Sequence, residues 1–319
     1  QGRNRSHAHP PTQSVSSEPL SSNVRLSSIC ADMNWNLIPT LRRAAALIVV
    51  FGALQAFAAS SRSVQERVTA ELNEGNPVVA HIVVALCDNV HQGIVPVPSS
   101  LGNGQDPRTN LYWGALYGVR THFIRGAGYQ LLHPQEPPPD GVLERIVLRK
   151  TVPRAGDDVD VFVVADAWDG RRIREAIQRF LEYSAGRCAQ TVRVDGREEL
   201  QSLSAGGRAS LVAYVGHNGL MDFSLSSHPG ATPEAQPRSS VVLACASDPY
   251  FTSIHEDGGS HQLLLTTGLM APEAYTLEAA VVAFVAGAEP SAVRQAAAEA
   301  YNKYQKCGSR AALHLFVTR

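Results

Sequence analysis

The sequence of 319 residues is poor in cysteine and has no excess of charge of either sign. Five cysteines in a chain of this length are too few for a disulfide-built scaffold. With 28 basic against 29 acidic side chains, the net charge of -1 supplies no overall field for holding nucleic acid, and no basic stripe is present. The apolar stretch from Ala44 to Leu54 falls short of the roughly 20 residues needed to cross a bilayer. Both phosphate-cradling frames, G-x-x-x-x-G-K-[ST] and G-x-G-x-x-G, are missing, so the glycine-rich segment Leu101 to Asp106 does not support nucleotide binding. Neither H-E-x-x-H nor H-x-x-x-H occurs around His255, Glu256, Asp257, His261, His91 or Asp88, so these groups read as solvated loops, and no metal or cofactor is expected. What is present, 44% hydrophobic and 18% charged residues, fits a globular protein of enzyme-like size.

The first sixty residues read as an address. Residues 1–32 are rich in Ser, Pro, Asn and His with little apolar clustering, and are expected to be a disordered leader or untranslated upstream sequence. From Met33, the basic pair Arg42-Arg43 precedes the apolar stretch, and Ala56-Phe57-Ala58 follows as a small-residue cleavage site. This order is that of a secretory signal peptide over residues 33–59, which implies export to a periplasmic or extracellular space without a lasting membrane anchor. The remaining residues 60–319 form one expected domain with 23 basic and 27 acidic side chains and four cysteines, Cys87, Cys188, Cys245 and Cys307. In an oxidising compartment an even four predicts two disulfides.

Over that domain strand and helix patterns alternate. Val78 to Leu86, Leu143 to Val152, Asp160 to Ala165, Ala209 to Val215 and Ser240 to Ala244 are apolar runs of strand length, and Leu313 to Val317 is a candidate last strand. Asn110 to Phe123 is expected to be helical, with Asp106 as its N-cap ahead of Pro107. Arg171 to Tyr183 places Ile173, Ala176, Ile177, Phe180 and Leu181 on one face, and a helix-rich tail runs from Pro272 toward Lys306. The pattern predicts an α/β fold, a three-layer sandwich around a mainly parallel sheet. Ligands of such sheets bind beyond the carboxyl ends of the strands.

Those ends carry Cys87-Asp88-Asn89, then Asp166 and Asp169, then His217-Asn218-Gly219, then Cys245-Ala246-Ser247-Asp248. A thiol beside an imidazole is a nucleophile with its own base. Cys245 is the candidate nucleophile and His217 the general base and acid. Backbone N–H groups at Gly216, Asn218, Gly219 or Ala246 are candidates for receiving an oxyanion. Taken singly, a strand-end Cys is as readily a small core hydrophobe and a strand-end His a turn residue.

Together, the blocks Leu211-Val212-Ala213-Tyr214-Val215-Gly216-His217-Asn218-Gly219 and Val241-Val242-Leu243-Ala244-Cys245-Ala246-Ser247 resemble the caspase-like cysteine peptidases, the group of caspases, legumain, gingipains, separase and CHAT domains. Those proteins carry an apolar strand ending in His-Gly and another ending in Ala-Cys. The resemblance implies a caspase-like fold and a secreted endopeptidase with a His-Cys dyad, an acyl-enzyme intermediate and a peptide or protein substrate. The chain departs from the pattern in having Asn218 directly after the histidine, with Gly219 one place later, and in a shorter separation of the pair than in caspases. Asp88 and Asn89 are expected to orient the histidine or bind substrate. Acidic residues at Asp88, Asp106, Asp248 and Asp257 suggest a preference for a basic substrate side chain. Two alternatives remain: an inactive caspase-like binding domain, and a metal-dependent hydrolase built from the loop histidines and acids.

Overall fold

The eight residues of β1, Val78–Ala85, are all buried, as expected of a strand covered on both faces. It lies at the centre of a mixed sheet in the computed structural model, which describes residues 62–195 and 200–319. The leader and signal peptide expected over residues 1–59 lie outside the described residues. Among these, eight strands run in the order β10-β9-β8-β7-β1-β4-β3-β2. They are β2 (Gln130–Leu132), β3 (Val142–Arg154), β4 (Asp157–Trp168), β7 (Leu211–Val215), β8 (Ser239–Leu243), β9 (His261–Thr266) and β10 (Phe316–Val317) around β1. The pairings β4/β1, β1/β7, β7/β8 and β8/β9 are parallel, and those at the two flanks are antiparallel.

Alternate residues of β1 enter two cores. Val78, Ala80, Ile82 and Val84 pack with α1 (residues 62–73), α5 (Ala274–Val285) and α6 (Pro290–Gln305) on one face. Val79, Val83 and Ala85 pack with α3 (Ile173–Ser184), α4 (Asp248–Gly258) and the hairpin of β5 (Ala189–Asp195) and β6 (Leu200–Gly206) on the other. The expected α/β class and mainly parallel centre are therefore present, with helices on both faces.

Three local expectations are corrected. Asn110 to Phe123 is mostly a chain of turns, and helix begins only at α2 (Val119–Thr121), which runs into a wide turn over His122–Gly126. The cause is Asn110, fully buried, whose carboxamide accepts from Cys87 N–H and donates to Cys87 O, tying this segment to the end of β1. Asp106 accordingly caps no helix and accepts from the Arg108 N–H. The second correction is that His255, Glu256 and Asp257 lie in α4, with His255 buried against Phe180 and Phe251, and are not a solvated loop. The third is that Leu313 to Leu315 end the short helix α7 (Ser309–Leu315), leaving only Phe316–Val317 as strand.

A buried ion cluster fastens the hairpin to the sheet. His81 Nδ1 accepts from the Gly206 N–H at 2.8 Å, so Nε2 carries the proton and donates to Asp166 at 3.0 Å. Arg145 grips the same carboxylate at 2.6 and 2.7 Å. Burial disfavours the Asp166 charge, but the Arg145 and His81 hydrogen bonds outweigh it and hold the carboxyl at about 2.

Burial lowers His81, takes His255 down to about 3 and takes His261 down to about 4. The unfolded chain takes up protons at these histidines near the ordinary value of 6.5, whereas the folded chain does not, so stability is complete above that pH and declines as pH falls below it. Asp166 adds a further loss below the usual carboxylate range, where only the unfolded chain binds the proton. Thermal melts at falling pH should show the transition temperature dropping between pH 7 and 5. His255→Phe should make that slope shallower; an unchanged slope would contradict this assignment.

Candidate active site

Strands β7 and β8 are adjacent and parallel, and their register pairs Val215 with Leu243. His217 and Cys245 each follow two residues beyond that matched pair, so both emerge at the same level of the sheet's carboxyl edge. The return from β7 is tight: a Cβ at Gly216 would sit 2.9 Å from Ala85 O, so the position suits a residue without a side chain. The turn from β8 into α4 places Ala246 in the left-handed region, at φ 46°. An alanine there costs about 1–2 kcal/mol. Bracing comes from the Ala246 N–H donating to Gly268 O at 2.8 Å and the Ser247 N–H donating to Thr266 Oγ1 at 3.0 Å.

Asn218, the departure from the His-Gly pattern, is fully buried and joins the two strand ends. Its Nδ2 donates to Cys245 O at 2.8 Å and its Oδ1 accepts from the Leu220 N–H at 3.2 Å. His217 is therefore one residue from a direct bond to the cysteine's own carbonyl. The imidazole Nε2 lies 2.6 Å from Asp222 Oδ2, and the Gly93 N–H reaches the same oxygen at 3.2 Å. A Cβ at Gly93 would come within 2.6 Å of Asp222 Oδ1, so a side chain there would push the carboxylate aside. The thiol of Cys245 is half-buried between the Met270 N–H at 3.4 Å and the Met270 carbonyl at 3.5 Å. Imidazole and thiol are held by these neighbours and make no hydrogen bond to each other.

Among the candidate oxyanion donors, three N–H groups are engaged. Gly216 donates to Leu243 O, Gly219 to His217 O and Ala246 to Gly268 O. The N–H of Asn218 and that of Cys245 itself have no acceptor among the described residues.

Asp88 and Asn89 serve their own loop and do not orient the histidine. Asp88 accepts from Gln105 at 2.7 Å, from the Val90 and His91 N–H groups and from the His91 ring. Burial opposes its charge, yet these hydrogen bonds hold its carboxyl below the usual range. Asn89 exchanges two hydrogen bonds with Val97. Asp106 pairs with Arg108, and Asp248 with Arg319 at 2.7 Å. Asp257 belongs to the far end of α4, where its carbonyl accepts from Ala231. The acids that suggested a pocket for a basic side chain thus do not converge at the cysteine.

The metal-site alternative is not assembled either. His91 pairs with Asp88 at the carboxyl end of β1, whereas His255 bonds Ser260 near the amino end of β9. Among the described residues no group of three such ligands converges. The expected disulfides are also absent: Cys87, Cys188, Cys245 and Cys307 are all free. Cys87 is fully buried, and burial pushes its thiol up to about 11.

Asp222 and Met270 were not among the expected site residues. Asp222 lies five residues beyond His217 and is turned back by the 3-10 turn Gly219–Met221, and the signal for it was the Asn-Gly pair opening that turn. No protein family, curated protein or solved structure matches the chain.

Replacing Asn218 with Ala leaves the Cys245 carbonyl without its donor, and should lower stability by about 1–3 kcal/mol. Urea denaturation measures this; a change below about 0.5 kcal/mol would mean that the clamp contributes nothing.

Proposed function

We propose that this chain is an exported, caspase-like cysteine hydrolase, an endopeptidase with Cys245 as nucleophile, His217 as general base and acid, and Asp222 as the residue that orients the imidazole. The observation that carries the reading is the placement of Cys245 and His217 at the ends of neighbouring parallel strands, joined through Asn218. This side-by-side placement is what the resemblance to caspase-like peptidases requires. The signal-peptide pattern supports export.

In the proposed reaction His217 takes the Cys245 proton and the sulfur attacks the scissile carbonyl carbon, forming the C–S bond. The oxyanion is received by the N–H groups of Cys245 and Asn218. As the C–N bond breaks, His217 returns its proton to the leaving amine. A water molecule, deprotonated by His217, then cleaves the thioester to release the acid, and the thiol regains its proton. Asp222 keeps one ring nitrogen occupied, leaving the other for these transfers.

A second reading, a binding domain without turnover, draws on the thiol's contact with Met270 in place of the imidazole. Iodoacetamide labelling near neutral pH, followed by peptide mapping, separates the two. The active reading predicts that Cys245 is alkylated at least ten times faster than the exposed Cys307, and that His217→Ala removes most of that advantage. A Cys245 no faster than Cys307, or unaffected by His217→Ala, supports the inert scaffold.

A further inference from the structure

We propose that the substrate of this site is an extended peptide segment with apolar side chains flanking the bond attacked, recognised by Val90, Val95, Met221 and Leu269. The inference rests on Cys245 being the nucleophile and concerns what it is offered.

Val90, Val95 and Leu269 are 81%, 87% and 79% exposed, and Met221 is 45% exposed. They are half of the large apolar side chains that the described residues leave exposed, and they come from three separate loops at the carboxyl edge of the sheet. Each is tied to the site by a neighbour. Val90 and Val95 flank Gly93, whose N–H reaches Asp222. Met221 immediately precedes Asp222. Leu269 stands between Gly268, which accepts from Ala246, and Met270, which brackets the thiol. Exposed apolar residues scattered singly need no explanation, but a set gathered on the loops around a reactive pair does.

Charge points the same way. The carboxylates of these strand-end loops have partners within the chain: Asp88 in Gln105 and His91, Asp106 in Arg108, Asp169 in Arg171, Asp222 in His217, Asp248 in Arg319, and Glu273 in the neutral donors Tyr275 and Gln305. Arg108 and Arg171 are satisfied by the same pairings, so neither a basic nor an acidic substrate side chain finds a free counter-charge in these groups. Covering one exposed Val, Leu or Met side chain is instead worth about tenfold in affinity or more.

The test uses the purified full chain and a panel of peptidyl acyloxymethyl ketones that differ only in the residue next to the ketone: Leu or Phe, Lys or Arg, Asp or Asn. Attack by the cysteine forms a thioether as the carboxylate leaves, and intact mass with peptide mapping reads the rate at Cys245. The expected result is labelling by the Leu and Phe probes at least tenfold faster than by the Lys, Arg, Asp and Asn ones. Val95→Asp and Leu269→Asp should each reduce that ratio several-fold, whereas Leu200→Asp, on the β5–β6 hairpin, should leave it unchanged. Faster labelling by a charged probe or by the Asn probe overturns the proposal. So does an unchanged ratio in both site variants, and a change in oligomeric state beside it would assign the patch to a second copy of the chain. If iodoacetamide modifies Cys245 rapidly but no probe shows preference, the thiol reading stands and the substrate class falls. If neither reagent modifies it, the nucleophile reading fails first.

Discussion

The parallel register of β7 against β8 is the constraint on which the rest of the site depends. Pairing Val215 with Leu243 brings the chain off both strands at one level, and the next two residues on each side become His217 and Cys245. A shift by one residue would turn every side chain of β8 to the opposite face. It would also move Cys245 along the edge and break the bond from Asn218 to its carbonyl. The register is secured because both strands are buried on both faces, so slippage would displace Val241 and Leu243 from one core and Val242 from the other.

On this frame the strand-end loops interlock. The β1 loop reaches Asp222 through Gly93, Asp222 holds His217, and the loop after β9 holds both Cys245 and Ala246. Three crossovers distant in sequence therefore meet within a few residues of the thiol. The left-handed Ala246 fits this arrangement, since backbone in a sparsely populated conformation persists where its surroundings over-determine it. Several acids of the same edge are paired locally, and Val90, Val95, Met221 and Leu269 are exposed on the loops beside them.

Much of this was legible in the sequence. The buried strands announced themselves as continuous Val, Ile and Leu runs, and the polar residues just beyond them gave the edge at which to look. What was not legible depended on side-chain partners remote in sequence. Asn110 reads as a helix residue until its carboxamide is seen bonding Cys87. His255, Glu256 and Asp257 read as solvated because the apolar face of α4 is only Phe251 and Ile254, supplemented by a buried histidine. Strand β9 was hidden between a Gly-Gly pair and a loop, and the acidic pocket dissolved once Asp88, Asp106 and Asp248 were seen with their own donors and Asp257 at the far end of α4. For Asp222 the Asn218-Gly219 pair marks a turn in the sequence but does not disclose that the turn brings the carboxylate back to His217.

The central claim is that Cys245 forms a covalent acyl intermediate, and trapping that intermediate tests it most directly. The protein would be mixed with an activated ester of an N-acylated leucine, quenched in acid and measured by intact mass and peptide mapping. The account predicts one acyl group per chain, carried by the peptide containing Cys245 and lost in Cys245→Ala. Acylation distributed over Cys188 and Cys307, or none at Cys245, would contradict it.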